Sequence, residues 1–89
     1  MDKVVIRKLT DEEIINKGIN NWPIWEKEVS RFDWYYDAEE DCLILEGDVV
    51  VETNSQSYSI KAGDFVTFQK GLSCVWDVKK PIRKHYCFK

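Results

Sequence analysis

Residues 39–47, EEDCLILEG, and residues 62–76, AGDFVTFQKGLSCVW, decide the fold of this chain. In the first, the apolar run CLIL closes at Gly47; in the second, FVTF is opened by Gly63-Asp64 and closed before Gly71, and CVW follows. Short runs of β-branched, leucine and aromatic side chains punctuated by glycine are what strands joined by tight turns look like. Past Gly47-Asp48 the first run resumes as VVVET, so that pair reads as a bend or bulge inside one long strand. NSQS then turns the chain, YSI forms a strand, KAGD turns again, FVTF returns, and QKG makes the next turn. LSCVWDV and IRKHYCF read as a final hairpin about Lys79-Lys80-Pro81.

Upstream, Phe32, Trp34 and Tyr36 alternate with Arg31, Asp33 and Tyr35, the period of a half-buried strand. LTDEEIINKG is the one helix candidate, near residues 11–17: Thr10 can cap it, Glu13 completes a capping box, and Gly18 can end it. Roughly seven or eight short strands at this spacing predict an all-β sandwich or barrel with one short N-terminal helix.

A chain of 89 residues, 44% hydrophobic and 33% charged, suits a single domain over residues 1–89. So short a chain hides only about two-thirds of its unfolded surface, so its interior must be filled by large side chains. Four Trp, four Tyr and four Phe are available, and Trp34 and Trp76, in predicted strands, are expected inside. A net charge of -3, a pI near 5.1 and the lack of a basic stripe exclude a protein that gains affinity by neutralising phosphates, so no nucleic-acid partner is expected. Lys79, Lys80, Arg83 and Lys84 are balanced by Asp37, Glu39, Glu40, Asp41, Glu46 and Asp48. With no apolar run of the length of a signal peptide or membrane span, a cytoplasmic protein without a membrane partner is expected. Cys42, Cys74 and Cys87 are odd in number and form no C-x-x-C pair, which argues for reduced thiols over a disulfide framework or a structural zinc.

Together the two glycine-bounded segments resemble the paired motifs of the cupin superfamily. That family's first motif carries two histidines and a glutamate before a strand ending in glycine; its second runs glycine, aspartate, a proline-x-glycine turn, then a third histidine. Glu40, Gly47, Gly63, Asp64 and Gly71 fit the pattern. The first two histidine positions fall on Trp34 and Tyr36, or on Asp33 and Tyr35 with the longer spacing; the third falls on Cys74, and Gln69 stands for the turn proline. With WPIWEKEVSRFDWYYD and IRKHY added, the chain looks like the small single-domain cupins grouped with ureidoglycine aminohydrolase-type and ethanolamine-utilisation-type cupins. The resemblance implies a jelly-roll-like conical β-barrel, often dimeric, and does not carry over aminohydrolase activity, because the matching metal ligands are missing.

Trp34 has no lone pair to offer and a tyrosine phenol ordinarily ionises only near pH 10, so neither the standard cupin metal nor another cofactor is expected. The leading expectation is a small polar or aromatic ligand held in a barrel lined by Trp34, Tyr36, Trp76 and Tyr86, with Glu40, Cys74 and the Lys84-His85-Tyr86 end of the last strand converging on it. A buried Glu40 without a metal needs a cation or a proton, and strand alternation sends either Lys84 or His85 inward to meet it. The competing expectation is a small enzyme in which Glu40 exchanges protons with Lys84, His85 or Tyr86, or joins Cys74 and His85 around a non-standard metal. A scaffold dimer without a ligand is the third class. A homodimer is expected through Val4, Val5, Ile6, Trp22 and Trp25, which exceed what a small core needs.

Overall fold

Thr10 starts the only α-helix among the described residues, as its sequence requires. In the computed structural model, which describes residues 3–89, the Thr10 hydroxyl accepts from the Glu13 amide at 3.1 Å and the Glu13 carboxylate accepts from the Thr10 amide at 2.9 Å. The reciprocal cap satisfies two amides that the helix leaves without partners. Helix α1 covers Asp11–Asn16. Gly18, at φ 68°, then turns the chain into one turn of 3-10 helix at Ile19–Asn21.

Among the described residues there are seven strands: β1 (Val4–Lys8), β2 (Ile24–Lys27), β3 (Ser30–Tyr35), β4 (Glu40–Glu52), β5 (Ser57–Lys61), β6 (Asp64–Phe68) and β7 (Ser73–Phe88). All their pairings are antiparallel. The main path runs β1-β6-β4-β7-β2, with β5 on the second half of β4 and β3 on the first half of β7. The two long strands therefore pass through both halves of the fold, and their inner side chains meet in one core. This is the all-β, cupin-like jelly roll expected from the paired segments.

The corner between the halves explains both a correct reading and a wrong one. The β4–β7 register slips between Ile44 and Val49, so β4 bulges there, as Gly47-Asp48 suggested. Gly47 sits at φ 114°, and a Cβ on it would lie 2.7 Å from the Pro81 carbonyl oxygen and 2.8 Å from the Ile82 Cα. Only glycine permits that approach. Opposite the bulge is Lys80-Pro81, and the expected hairpin there does not exist: Ser73–Phe88 is one bent strand. Proline is tolerated within a strand where the ladder is interrupted, and the β4 bulge supplies the interruption.

The bulge also switches the side-chain parity of β4. Cys42 and Ile44 point into the core before it, Val49 and Val51 after it. Strand β7 keeps one parity throughout, with Cys74, Trp76, Val78 and Ile82 in the same core. A second, smaller cluster lies on the outer face, where Ile19, Leu43 and Phe65 are buried beneath α1 and the 3-10 turn, with Trp22 and Leu45 packed against them. Trp22 thus covers this outer cluster and Trp25 packs on the inner one. Of the apolar surplus expected to drive dimerisation, only Val5 and Ile6 are exposed large side chains. No helix among the described residues is long and apolar enough to cross a membrane.

The motif glycines and aspartate hold turns. Asp64 is buried and its Oδ2 accepts from the Lys61 amide at 3.0 Å, closing the β5–β6 turn. The Gly71 amide donates to the Tyr36 carbonyl at 2.7 Å and the Tyr36 amide donates to the Leu72 carbonyl at 2.9 Å, tying the end of β3 to the β6–β7 turn.

Candidate functional site

The first residue of β4 and the second half of β7 place Glu40 and Lys84 inside the aromatic core. Both are nearly fully buried, at 3% and 5% exposure, and the Lys84 ammonium lies 3.1 Å from Glu40 Oε2 and 3.4 Å from Oε1. Three rings surround the ammonium: Trp76 with its centroid at 4.6 Å, Trp25 at 5.0 Å and Phe68 at 6.0 Å. Electron-rich ring faces and a carboxylate together offset the desolvation of a charge that would otherwise be costly to bury.

Those rings are themselves fixed in place. Phe32, opposite Trp76 in the β3–β7 ladder, stacks on it at 6.3 Å and 11°. Tyr36 stacks on Phe68 at 4.8 Å and 5°, and its hydroxyl accepts a hydrogen bond from Trp76 Nε1 at 3.2 Å. Beside the ion pair lies a cavity of about 160 Å³, with Glu40, Lys84 and Tyr36 among its lining. Trp25, Phe32 and Trp76 wall it, and Trp34, Tyr86 and Phe88 complete its rim.

Six of the eight residues singled out from the sequence meet here: Trp34, Tyr36, Glu40, Trp76, Lys84 and Tyr86. Trp34 does so from the edge, being 48% exposed; among the described residues β3 pairs with β7 alone. Cys74 faces the same core but stands outside the cavity wall, paired with Trp34 across β3 and β7. His85 is placed elsewhere. With Lys84 inward, alternation turns its neighbour to the outer face, where His85 Nδ1 donates to the Trp22 carbonyl at 2.9 Å. Trp25, Phe32 and Phe88 were not anticipated as lining residues. Phe32 carried a signal, as the alternation partner of Trp34; Trp25 and Phe88 arrive through β2–β7 and β4–β7 pairings that no local pattern reveals.

The protonation of these groups follows from their burial. Desolvation, reinforced by the Glu40 charge, raises the Tyr36 phenol well above its ordinary value. Burial pushes the Cys74 thiol up to about 11 and the Cys42 thiol up to about 12. All three are protonated at neutral pH in the metal-free protein. A divalent ion of the cupin kind does not fit the arrangement of these residues: an indole without a lone pair, a phenol that already accepts from Trp76 and a thiol outside the cavity wall replace the imidazoles, and the Lys84 ammonium sits on the carboxylate. Among the described residues no group of three His, Cys, Asp or Glu side chains is disposed to hold a metal ion.

Comparison with known proteins bears on the family and the fold. A family model described as an EutQ-like cupin domain matches residues 16–86. Among solved structures, a DUF861 family protein from Thermotoga maritima is 54% identical and superposes with a TM-score of 0.94, the match covering 97% of this chain and 99% of that one. A putative ethanolamine utilization protein Q from Salmonella typhimurium is 22% identical with a TM-score of 0.68, over 96% of this chain and 68% of that one. The EutQ protein of Clostridium difficile is 17% identical with a TM-score of 0.69, over 99% and 73%. At such identities the two EutQ proteins show a shared fold alone. No curated protein sequence matches.

Proposed function

This chain belongs to the EutQ-like cupin domain family, and from that premise we propose that it binds a small planar ligand in its aromatic pocket, with the Lys84 ammonium supplying the fixed positive charge that a histidine-bound metal would supply in other cupins. The observation that carries this reading is the cavity itself: about 160 Å³ beside a buried Glu40–Lys84 pair, with aromatic walls. An engineered apolar cavity of about 150 Å³ accommodates benzene, so the size suits a single ring with a small substituent. Among the described residues, Glu40 and Lys84 are the only charged ones lining it, and they neutralise each other. A charged ligand would enter without a counter-ion at a cost of several kcal/mol per bare charge, so the pocket favours neutral molecules.

The test is tryptophan fluorescence, because Trp25, Trp34 and Trp76 all line the cavity. Titration with phenol, benzoate and benzylamine should show quenching by phenol alone. It should be weakened by Trp34→Ala, which removes a half-exposed rim residue at little cost to the fold, and be unchanged by a metal chelator. If no neutral ring quenches the emission or raises the melting temperature, the reading is wrong. An enzymatic role for the same pocket is favoured by the contact between Glu40 and Lys84, with His85 on the opposite face and Cys74 outside the wall.

A further inference from the structure

Tyr36 and Lys84 have donor capacity that the protein leaves unused. The Tyr36 oxygen accepts from Trp76 Nε1, yet among the described residues no acceptor stands within hydrogen-bond reach of its own O–H, although the residue is 1% exposed and lines the cavity. The Lys84 ammonium has three N–H groups and one carboxylate partner, the remainder of its surface facing ring faces. Both groups border the same indole, and both line the same cavity. Two donors facing an aromatic-lined pocket suit one acceptor atom, and they are worth most when that atom gains negative charge. On the other side of the ammonium, Glu40 Oε1, at 3.4 Å, is the carboxylate oxygen less engaged by Lys84.

We propose that the pocket catalyses keto–enol proton transfer on small, neutral, planar carbonyl compounds, with Glu40 as the base and with Tyr36 and Lys84 as donors to the carbonyl oxygen. This rests on the ligand-binding reading above and extends it to a reaction. Glu40 removes a proton from the carbon next to the carbonyl. The C–H electron pair becomes the C=C bond, the C=O π pair moves to oxygen, and the resulting enolate oxygen receives hydrogen bonds from the Tyr36 O–H and a Lys84 N–H. Return of the proton from Glu40 to carbon restores the ketone, and return to oxygen from Tyr36 or Lys84, with Glu40 reprotonating the donor, gives the enol. Nothing is oxidised or reduced, and no cofactor enters the balance. The aromatic walls lower the polarity around the developing oxyanion, which strengthens both hydrogen bonds at the moment they are needed.

The probe is acetophenone in deuterated buffer at neutral pH, with methyl-group exchange followed by proton NMR and binding followed by tryptophan quenching. The wild-type protein should exchange the methyl protons on the order of a hundredfold faster than buffer, in the range general base catalysis supplies. Saturating phenol should compete the exchange away. Glu40→Gln should abolish exchange, and Tyr36→Phe should lower it on the order of a hundredfold while quenching persists. Because Glu40→Gln disturbs a buried ion pair and could fail to fold, the wild-type rate, the phenol competition and Tyr36→Phe carry the decision by themselves. Quenching by acetophenone without exchange above buffer overturns the proposal and leaves the binding reading standing. Absence of both removes the two together. Exchange that survives saturating phenol, or runs at full rate in Tyr36→Phe, overturns the assignment to this site.

Discussion

Replacing Lys84 by methionine keeps much of the side chain's length and removes its charge and N–H donors, which makes it a probe of the buried pair. In the wild type the Glu40 and Lys84 side chains are 4% and 6% exposed and 3.1 Å apart. The variant leaves the carboxylate among Trp76, Trp25 and Phe68 with no cation, and breaking a buried pair in this way costs about 3–5 kcal/mol. A protein of this size has a total stability of roughly 0.05–0.15 kcal/mol per residue, so the loss removes a large fraction of it. With a urea dependence of about 1 kcal/mol per molar, the denaturation midpoint should fall by about 3 M or until the protein no longer folds. The double variant Glu40→Leu with Lys84→Met removes both charges, and its stability should match that of wild type or exceed it by about 1–4 kcal/mol. Urea melts of the four proteins complete the cycle. A loss below about 1 kcal/mol in Lys84→Met, the size expected of an exposed pair, would refute the reasoning, and so would a double variant as unstable as the single one.

Gly47→Ala should cost about 3 kcal/mol or prevent folding, because its Cβ would meet the Pro81–Ile82 backbone at a positive φ; Gly18→Ala, at φ 68° with open space around it, should cost about 1 kcal/mol in the same melts. The raised Cys42 and Cys74 values set a pH trend: folded thiols hold protons that unfolded thiols release above about pH 9, so stability is complete below that value and falls as pH rises toward about 11 and 12. Urea midpoints that do not fall between pH 9 and 11 would contradict this. Iodoacetamide at pH 7.5 should modify the partly exposed Cys87 first, as peptide mass spectrometry will show. Light scattering should give a homodimer that Ile6→Lys dissociates, since β1 is paired on one side only and leaves Val5 and Ile6 exposed; monomer at high concentration removes that expectation.

What was readable in the chain was local or set by glycine. The Thr10–Glu13 cap involves neighbours, and the β4 bulge at Gly47 follows from a backbone conformation that other residues resist. Pro81 was misread because its tolerance within β7 depends on a bulge in a different strand, and Lys-Lys-Pro in isolation looks like a turn. Alternation along IRKHY reduced the candidates for a cation facing Glu40 to Lys84 or His85 and could go no further. The choice depends on which face α1 and the 3-10 turn cover, and the Trp22 carbonyl that holds His85 is known only once β2 lies against β7. The same non-local pairing brings Trp25 to the pocket.

The order in which β4 and β7 come together bears on how the pocket opens. Glu52 pairs with Val75 across nothing more than the β5–β6 hairpin, so this end of the ladder closes the shortest loop and is expected to zip first during folding. Glu40 and Lys84, separated by 44 positions in the chain, are joined at the far end, near the C-terminus. Local opening of the Tyr86–Phe88 end of this ladder therefore unpairs the rim of the cavity while the Val49–Val78 region stays closed, a partial opening that costs less than unfolding the whole. Native-state hydrogen exchange should accordingly find the amides of Tyr86 and Cys87 less protected than those of Trp76 and Val78. A molecule too large for the resting mouth would then reach Lys84 by waiting for the last strand to lift.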